Sequence, residues 1–353
     1  MSPTRVRRCL ESGLLLAGLS MAACAPAAGP VAHRPVQAEQ PMQIVAIDAP
    51  SNLGLRPPAP DVEPGARKAP AALRAAGLLA RLGARDGGAV PAPPYSPQPD
   101  LAVGFRNGTA LAAYSQTLSE HLQPLLHGRE FVLVLGGDCS VLLGASLALK
   151  RRGRYGLAFV DAHDDYSYVR DRARYRGIVT AAGVDLGLAT GHGPAVLTDI
   201  GGMSPYVREA DVVQLGLSRE PGDSDYAATE TYDASGILTF DVDTVRRDAR
   251  AAGLAARTRL EADATQGYWI HVDADVLDAR AMPAVDSPNA RGLSYAQLRA
   301  MLTPLLASPK AVGLDLTIYD PDLDPKGVYA RRLVDAVTGA FADSGRYALP
   351  AAR

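Results

Sequence analysis

Apolar runs of strand length alternate with stretches of helical periodicity along most of this chain. Ile44 to Asp48 is a short apolar run that ends in a Pro- and Gly-containing loop, and Pro70 to Leu82 carries apolar residues at helical spacing with its proline in the first turn. The pattern then predicts a helix over Thr109 to Gln123, a buried strand over Glu130 to Leu135, a helix over Ser140 to Arg151 and a strand over Gly156 to Val160. Further strands are expected over Val212 to Leu215, Tyr268 to Val272 and Val312 to Leu316, with helices near Val242 to Leu260, Tyr295 to Thr303 and Ala330 to Phe341. Such alternation implies parallel strands joined by crossover helices, an α/β fold with a mostly parallel sheet. Neither a linker-like segment nor an internal repeat interrupts the chain after Ile44, so one doubly wound domain is expected. The proline-dense Pro91 to Pro99 reads as a surface loop.

The first residues follow a different rule. Arg5, Arg7 and Arg8 precede an apolar run from Gly13 to Ala23, followed by Cys24 and small residues. That is the pattern of a secretory signal. Leu19-Ser20-Met21-Ala22-Ala23-Cys24 also resembles a bacterial lipobox, with Met21 where leucine is usual. Residues 1–24 are therefore expected to be a secretory or lipoprotein signal, with a lipid on Cys24 or plain cleavage nearby; a start codon placed too far upstream is the alternative. Residues 25–41, rich in Ala and Pro, read as a tether. Residues 42–353 are left as the single folded domain, exported to the periplasm or held at the membrane as a lipoprotein.

Composition excludes several classes. Of 353 residues, 47% are hydrophobic and 21% charged, which rules out wholesale disorder. The 36 basic against 38 acidic residues leave a formal charge of −2, with acids interspersed among the arginines, so no nucleic-acid partner is expected. No stretch reaches the roughly 20 apolar residues of a membrane helix. Of three cysteines, Cys9 and Cys24 precede the domain, so Cys139 has no disulfide partner within it. Zinc-finger spacing, a GxxxxGK[ST] loop and a G-x-S-x-G elbow are all missing from the sequence.

The chemistry gathers where predicted strands end. Glu130 to Leu135 runs into Gly136-Gly137-Asp138-Cys139-Ser140, the next strand into Asp161-Ala162-His163-Asp164-Asp165, and Tyr268 to Val272 into Asp273-Ala274-Asp275. In open parallel sheets the carboxyl ends of strands form the ligand crevice. Period-two geometry puts His271, Asp273 and Asp275 on one side of their strand, and Asp161, His163 and Asp165 likewise if the extended backbone persists. Carboxylates packed beside apolar strands repel one another and lose hydration, so they neutralise or take up cations. Asp161, Asp165, Asp273 and Asp275 carry a formal charge of about −4, which two divalent ions would offset. His163 adds a nitrogen donor suited to manganese, zinc, nickel or iron rather than calcium. The alternative is that these acids are helix caps and solvated loop residues.

These motifs, in this order and at this spacing, resemble those of the ureohydrolase family of arginases and agmatinases. Gly136 to Ser140 resembles its GGDHS motif, Asp161 to Asp165 its DAHxD motif, and His271 to Asp278 with Met282-Pro283 its SFDxDxxDPxxxP motif. Val62 to Gly65 and Ala189 to Gly193 are similar to flanking segments of that family, and the likeness runs from about Ile44 to the end. The resemblance implies a three-layer α/β/α fold of the arginase/deacetylase kind. It implies two manganese ions bridged by a hydroxide, with Asp161 and Asp273 on both ions, Cys139 and Asp165 completing one site, and His163 and Asp275 the other. The hydroxide would attack an amidine-type carbon of a small-molecule substrate, and Asp275 or a nearby acid would pass the proton to the departing amine. The products would be urea or a related amide plus an amine. A homo-oligomer is also implied.

Three positions depart from the family pattern. Cys139 stands where the first motif has a histidine ligand, so either a thiolate, which favours zinc or iron, ligates there or the residue is a buried structural cysteine. Ala182 aligns with a histidine thought to relay protons, and His271 is a candidate replacement. Gly313 to Pro321 resembles the strand whose glutamate pairs with the substrate guanidinium, and Ile318 occupies that position. An isoleucine cannot form that bidentate charged contact. Asp320 or Asp322 would supply a displaced carboxylate, or else serve as turn acids. The expected function is metal-dependent hydrolysis of a non-peptide C–N bond in an amidino, guanidino or amide substrate. The alternative is a catalytically degenerate metal-binding protein of the same fold, serving as a binding protein at the cell envelope.

Overall fold

Eight parallel strands form the central sheet, in the order β2-β1-β5-β10-β9-β6-β7-β8. They are β1 (Ile44–Ala49), β2 (Arg85–Ala89), β5 (Phe131–Gly136), β6 (Gly156–Val160), β7 (Val212–Leu215), β8 (Leu238–Phe240), β9 (Tyr268–Asp273) and β10 (Ala311–Thr317). Among the described residues two further strands, β3 (Pro99–Asp100) and β4 (Phe105–Arg106), form a small antiparallel ribbon. The computed structural model describes residues 41–166, 179–219, 232–262 and 264–351, which lie in one compact unit starting at Pro41. The expected signal over 1–24, with Cys9 and Cys24, lies outside the described residues, as does all of the tether but Pro41.

Alternation along the strands builds two cores. In β5, Leu133 and Leu135 face one layer while Val132 and Val134 face the other. Helices Ala249–Leu260, Tyr295–Leu306 and Val328–Ser344 pack side by side on the first face, and Gly108–Leu126 and Val141–Lys150 pack together on the second. The result is the three-layer α/β/α arrangement that the family resemblance implies, built on the parallel strands expected from the alternating pattern. No helix among the described residues is long and apolar enough to cross a membrane.

Local rules shift several boundaries. The single helix expected over Pro70 to Leu82 is two, Ala69–Ala75 and Leu78–Leu82, because Gly77 takes a left-handed conformation (φ +89°) between them. Val242 to Leu260 likewise divides at Asp248, whose side chain caps the second helix by accepting from the Ala251 amide. The edge strands β2 and β8 escape the pattern altogether. RDGGA is largely solvent-facing and LTF is three residues long and half-buried, so neither carries an apolar run of strand length.

Strand order positions the site. β5 and β6 are separated by β10 and β9, which enter the sheet last, so the acid-bearing loops after β5, β9 and β6 open side by side at the sheet's centre. Open parallel sheets bind ligands at such a point.

Candidate metal centre

Register stacks the functional side chains in rows. On β9, Trp269 lies in register with Leu157 of β6 and Gly313 of β10; His271 with Phe159 and Asp315; and Asp273 with Thr317. All three β9 residues share one face, so the site rises in layers from an indole floor through an imidazole to carboxylates.

The upper layer is the metal-like cluster. One ligand atom each from Asp161, His163 and Asp275 lie within 4.8 Å of one another. His163 Nδ1 is 3.1 Å from Asp275 Oδ2 and 3.6 Å from Asp161 Oδ1. Asp161 Oδ1 also accepts the His163 amide at 2.7 Å, and Asp273 Oδ1 accepts the Asp275 amide at 2.7 Å. These turns fix one oxygen of each of those carboxylates. Asp161 Oδ2 and Asp275 Oδ1 are buried with no partner. Asp165 is buried at a positive φ of 41°, its carbonyl accepting from the Gly187 amide.

Electrostatics matches this geometry. Burial, reinforced by the charge of Asp275, pushes the Asp161 carboxyl up to about 6. Burial and neighbouring carboxylates push Asp165 and Asp273 well above the usual range too, while the charge of Asp275 raises His163. Acids that resist ionising for want of a counter-charge are a ready cation site.

Cys139 reaches this cluster. Its thiol donates to Asp273 Oδ2 at 2.6 Å and lies 3.1 Å from Thr317 Oγ1. Burial, with the charges of Asp273, Asp185 and Asp161, pushes the thiol up, so it stands as a donor to a carboxylate. The loop that carries it is tight. Asp138 accepts from the Ser140 amide at 2.9 Å and from Ser51 Oγ at 2.8 Å, and a Cβ on Gly137 would sit 1.8 Å from the Ser51 carbonyl oxygen. Only glycine fits there.

His271 is wholly buried. Its Nδ1 is 2.5 Å from Asp315 Oδ1, while Asp315 Oδ2 accepts from Trp269 Nε1 at 2.5 Å. Sequence reasoning missed Asp315, although its place in register with His271 follows once the strand order is known. It also missed Asp185, the first residue of helix Asp185–Ala189, which is buried against this cluster. Gln214, buried on β7, was missed as well; its Nε2 donates to the carbonyls of Asp161 (3.2 Å) and His163 (2.9 Å), pinning the loop that holds both.

The family departures resolve in part. Ala182 is buried and its amide donates to the Gly54 carbonyl. Ile318 is buried in the left-handed region (φ +67°), where a β-branched residue is strained, and its amide donates to the Gly137 carbonyl at 2.7 Å. Asp320 and Asp322 are turn acids. Asp320 accepts from the amides of Gly65 and Asp322, and Asp322 pairs with Lys68 at 2.6 Å.

A parallel α/β sheet with buried acids and an imidazole converging at its centre forms a candidate cation site. The chain belongs to the Arginase family, whose model matches residues 44–341. Members of that family are ureohydrolases, which cleave C–N bonds. An arginase of Bacillus caldovelox is 26% identical over 314 residues, covering 86% of this chain and 99% of the relative. The native structure of arginase from that organism superposes with a TM-score of 0.74 at 24% identity, over 85% of this chain and 98% of that one. The proclavaminate amidino hydrolase of Streptomyces clavuligerus shares the fold at a TM-score of 0.61 and 21% identity, over 86% and 91% of the two chains.

Proposed function

We propose that this chain is a binuclear metal-dependent hydrolase of non-peptide C–N bonds, acting on a small amidino, guanidino or amide substrate. One observation carries the reading: Asp161 Oδ2 and Asp275 Oδ1 are buried and unpartnered beside His163. Carboxylate oxygens withdrawn from water need a cation or a proton. Asp161, His163 and Asp275 would hold one divalent ion. Asp161 and Asp273 would extend to a second, which Asp165 and a donor from beneath would complete. Membership of the family supports manganese, and the imidazole also admits zinc, iron or nickel.

Divalent ions held there supply Lewis acidity that turns water into a nucleophile near neutral pH. The chain's own residues do the rest. Gln214 and the amides of His163 and Asp275 aim the carboxylates. Asp275, or a nearby acid such as Asp165, would take up the proton released as water adds to the substrate carbon. Breaking the C–N bond then returns that proton to the departing amine, leaving urea or an amide. Ile318 presents no charge to a guanidinium, so recognition here differs from a bidentate carboxylate clamp.

Metal analysis of protein purified without added metal, followed by a screen for urea or ammonia release from guanidino compounds and amides, tests the proposal. Two ions with turnover support it. Bound metal with no turnover favours the degenerate envelope binding protein, and neither metal nor turnover contradicts the proposal outright.

A further inference from the structure

The imidazole donor missing from position 139 has a counterpart one row lower. His271 Nε2 is buried and unpartnered, and so is Asp185 Oδ2, 3.6 Å away. That separation is too long for a hydrogen bond between them. It is close to the spacing of two donors on one ion, about 3.4 Å for tetrahedral bonds of about 2.1 Å.

The remaining contacts fix His271 for that role. Asp315 receives both Trp269 Nε1 and His271 Nδ1, which places the ring proton on Nδ1 and leaves a lone pair on Nε2. Phe159 stacks on the ring at 4.8 Å and 15°, holding its plane. A carboxylate behind the far nitrogen of a histidine is the usual second-shell arrangement of a metal ligand. Cys139, by contrast, has its thiol engaged with Asp273 and Thr317, and a thiol ligates only after losing its proton.

We infer that His271 Nε2 and Asp185 Oδ2 bind the deeper of the two divalent ions, in place of Cys139. This rests on the metal-dependent reading above and assigns its unfilled donor. The ion would then take nitrogen and oxygen donors only, which keeps a manganese-type site where a thiolate would have favoured zinc or iron.

X-ray absorption and visible spectra of the full chain loaded with zinc or cobalt(II) test the assignment without any substitution. Imidazole scattering from two histidines with no sulfur neighbour is expected. A sulfur shell at about 2.3 Å, or a thiolate-to-cobalt charge-transfer band, would overturn the inference and leave the metal reading intact. Failure to bind either ion would overturn both. Among variants, Cys139→Ala should keep two equivalents of metal, while His271→Asn and Asp185→Asn should each fall to one. Two equivalents retained in His271→Asn would contradict the assignment; should that variant not fold, the spectra of the native chain decide.

Discussion

His163 Nδ1 stands 3.1 Å from Asp275 Oδ2, joining the loop after β6 to the turn after β9 across one strand boundary. Neither residue is near the other in sequence. Their meeting point, with Asp161 beside them, is where burial would be most costly without a cation.

Replacing Asp275 by asparagine should therefore weaken metal binding at least tenfold and turnover at least a hundredfold, on the order of 1.4 and 2.7 kcal/mol respectively. Equilibrium dialysis and product-release rates measure the two. Glu120→Gln, on an exposed helix face, should change neither. Equal metal affinity in both variants would contradict the ligand role of Asp275.

The metal-free protein should lose stability as pH rises. Asp161 titrates near 6 when folded, against 3.8 for an ordinary aspartate, so the folded state keeps a proton that the unfolded state releases. Its contribution is complete below about 4 and lost as pH climbs through 6; the raised His163 acts with the same sign at higher pH. Melting of the metal-free chain should drop by several degrees between pH 4.5 and 7.5. Saturating manganese should cancel the drop, since it binds the deprotonated ligands. A flat or rising metal-free profile would count against the charge arrangement.

Ile318→Glu should raise activity toward cationic guanidino compounds relative to neutral amides by about tenfold or more, the size expected of one charge-assisted pair. The ratio of kcat/KM for the two substrate classes reads this out. An unchanged ratio would mean that position 318 does not face the substrate.

Gly313 underlies the imidazole row. A Cβ there would come within 2.1 Å of the Trp269 ring and 2.6 Å of the Val132 carbonyl oxygen. Gly313→Ala should cost about 1–3 kcal/mol or more in urea unfolding. A neutral result would show that Trp269 is free to move off Asp315.

Much of this architecture was legible because strand and helix periods differ and because acids at strand ends have few structural uses. Asp161, His163, Asp273 and Asp275 could be singled out on that ground alone. Asp185 and Gln214 could not, since a lone aspartate at a short helix start and a glutamine in a four-residue strand look ordinary until tertiary structure buries them. Gly77 and Asp248 split helices that periodicity runs together, because backbone handedness and capping are weaker signals than apolar spacing. Asp320 and Asp322 were open between substrate binding and turn formation, and their bonds to Gly65 and Lys68 support the turn role.

We propose, from the sequence alone, that residues 1–24 direct export. If Cys24 carries lipid, the native chain should sediment with membranes and Cys24→Ser should be soluble in the periplasm. Both forms remaining in the cytoplasm would contradict export.

Crystals of the full chain grown with manganese give the most direct test, by anomalous diffraction. The account predicts a peak between Asp161, His163 and Asp275 and a second beneath it, near Asp273. A cleft holding only water, with these carboxylates turned outward, would contradict it.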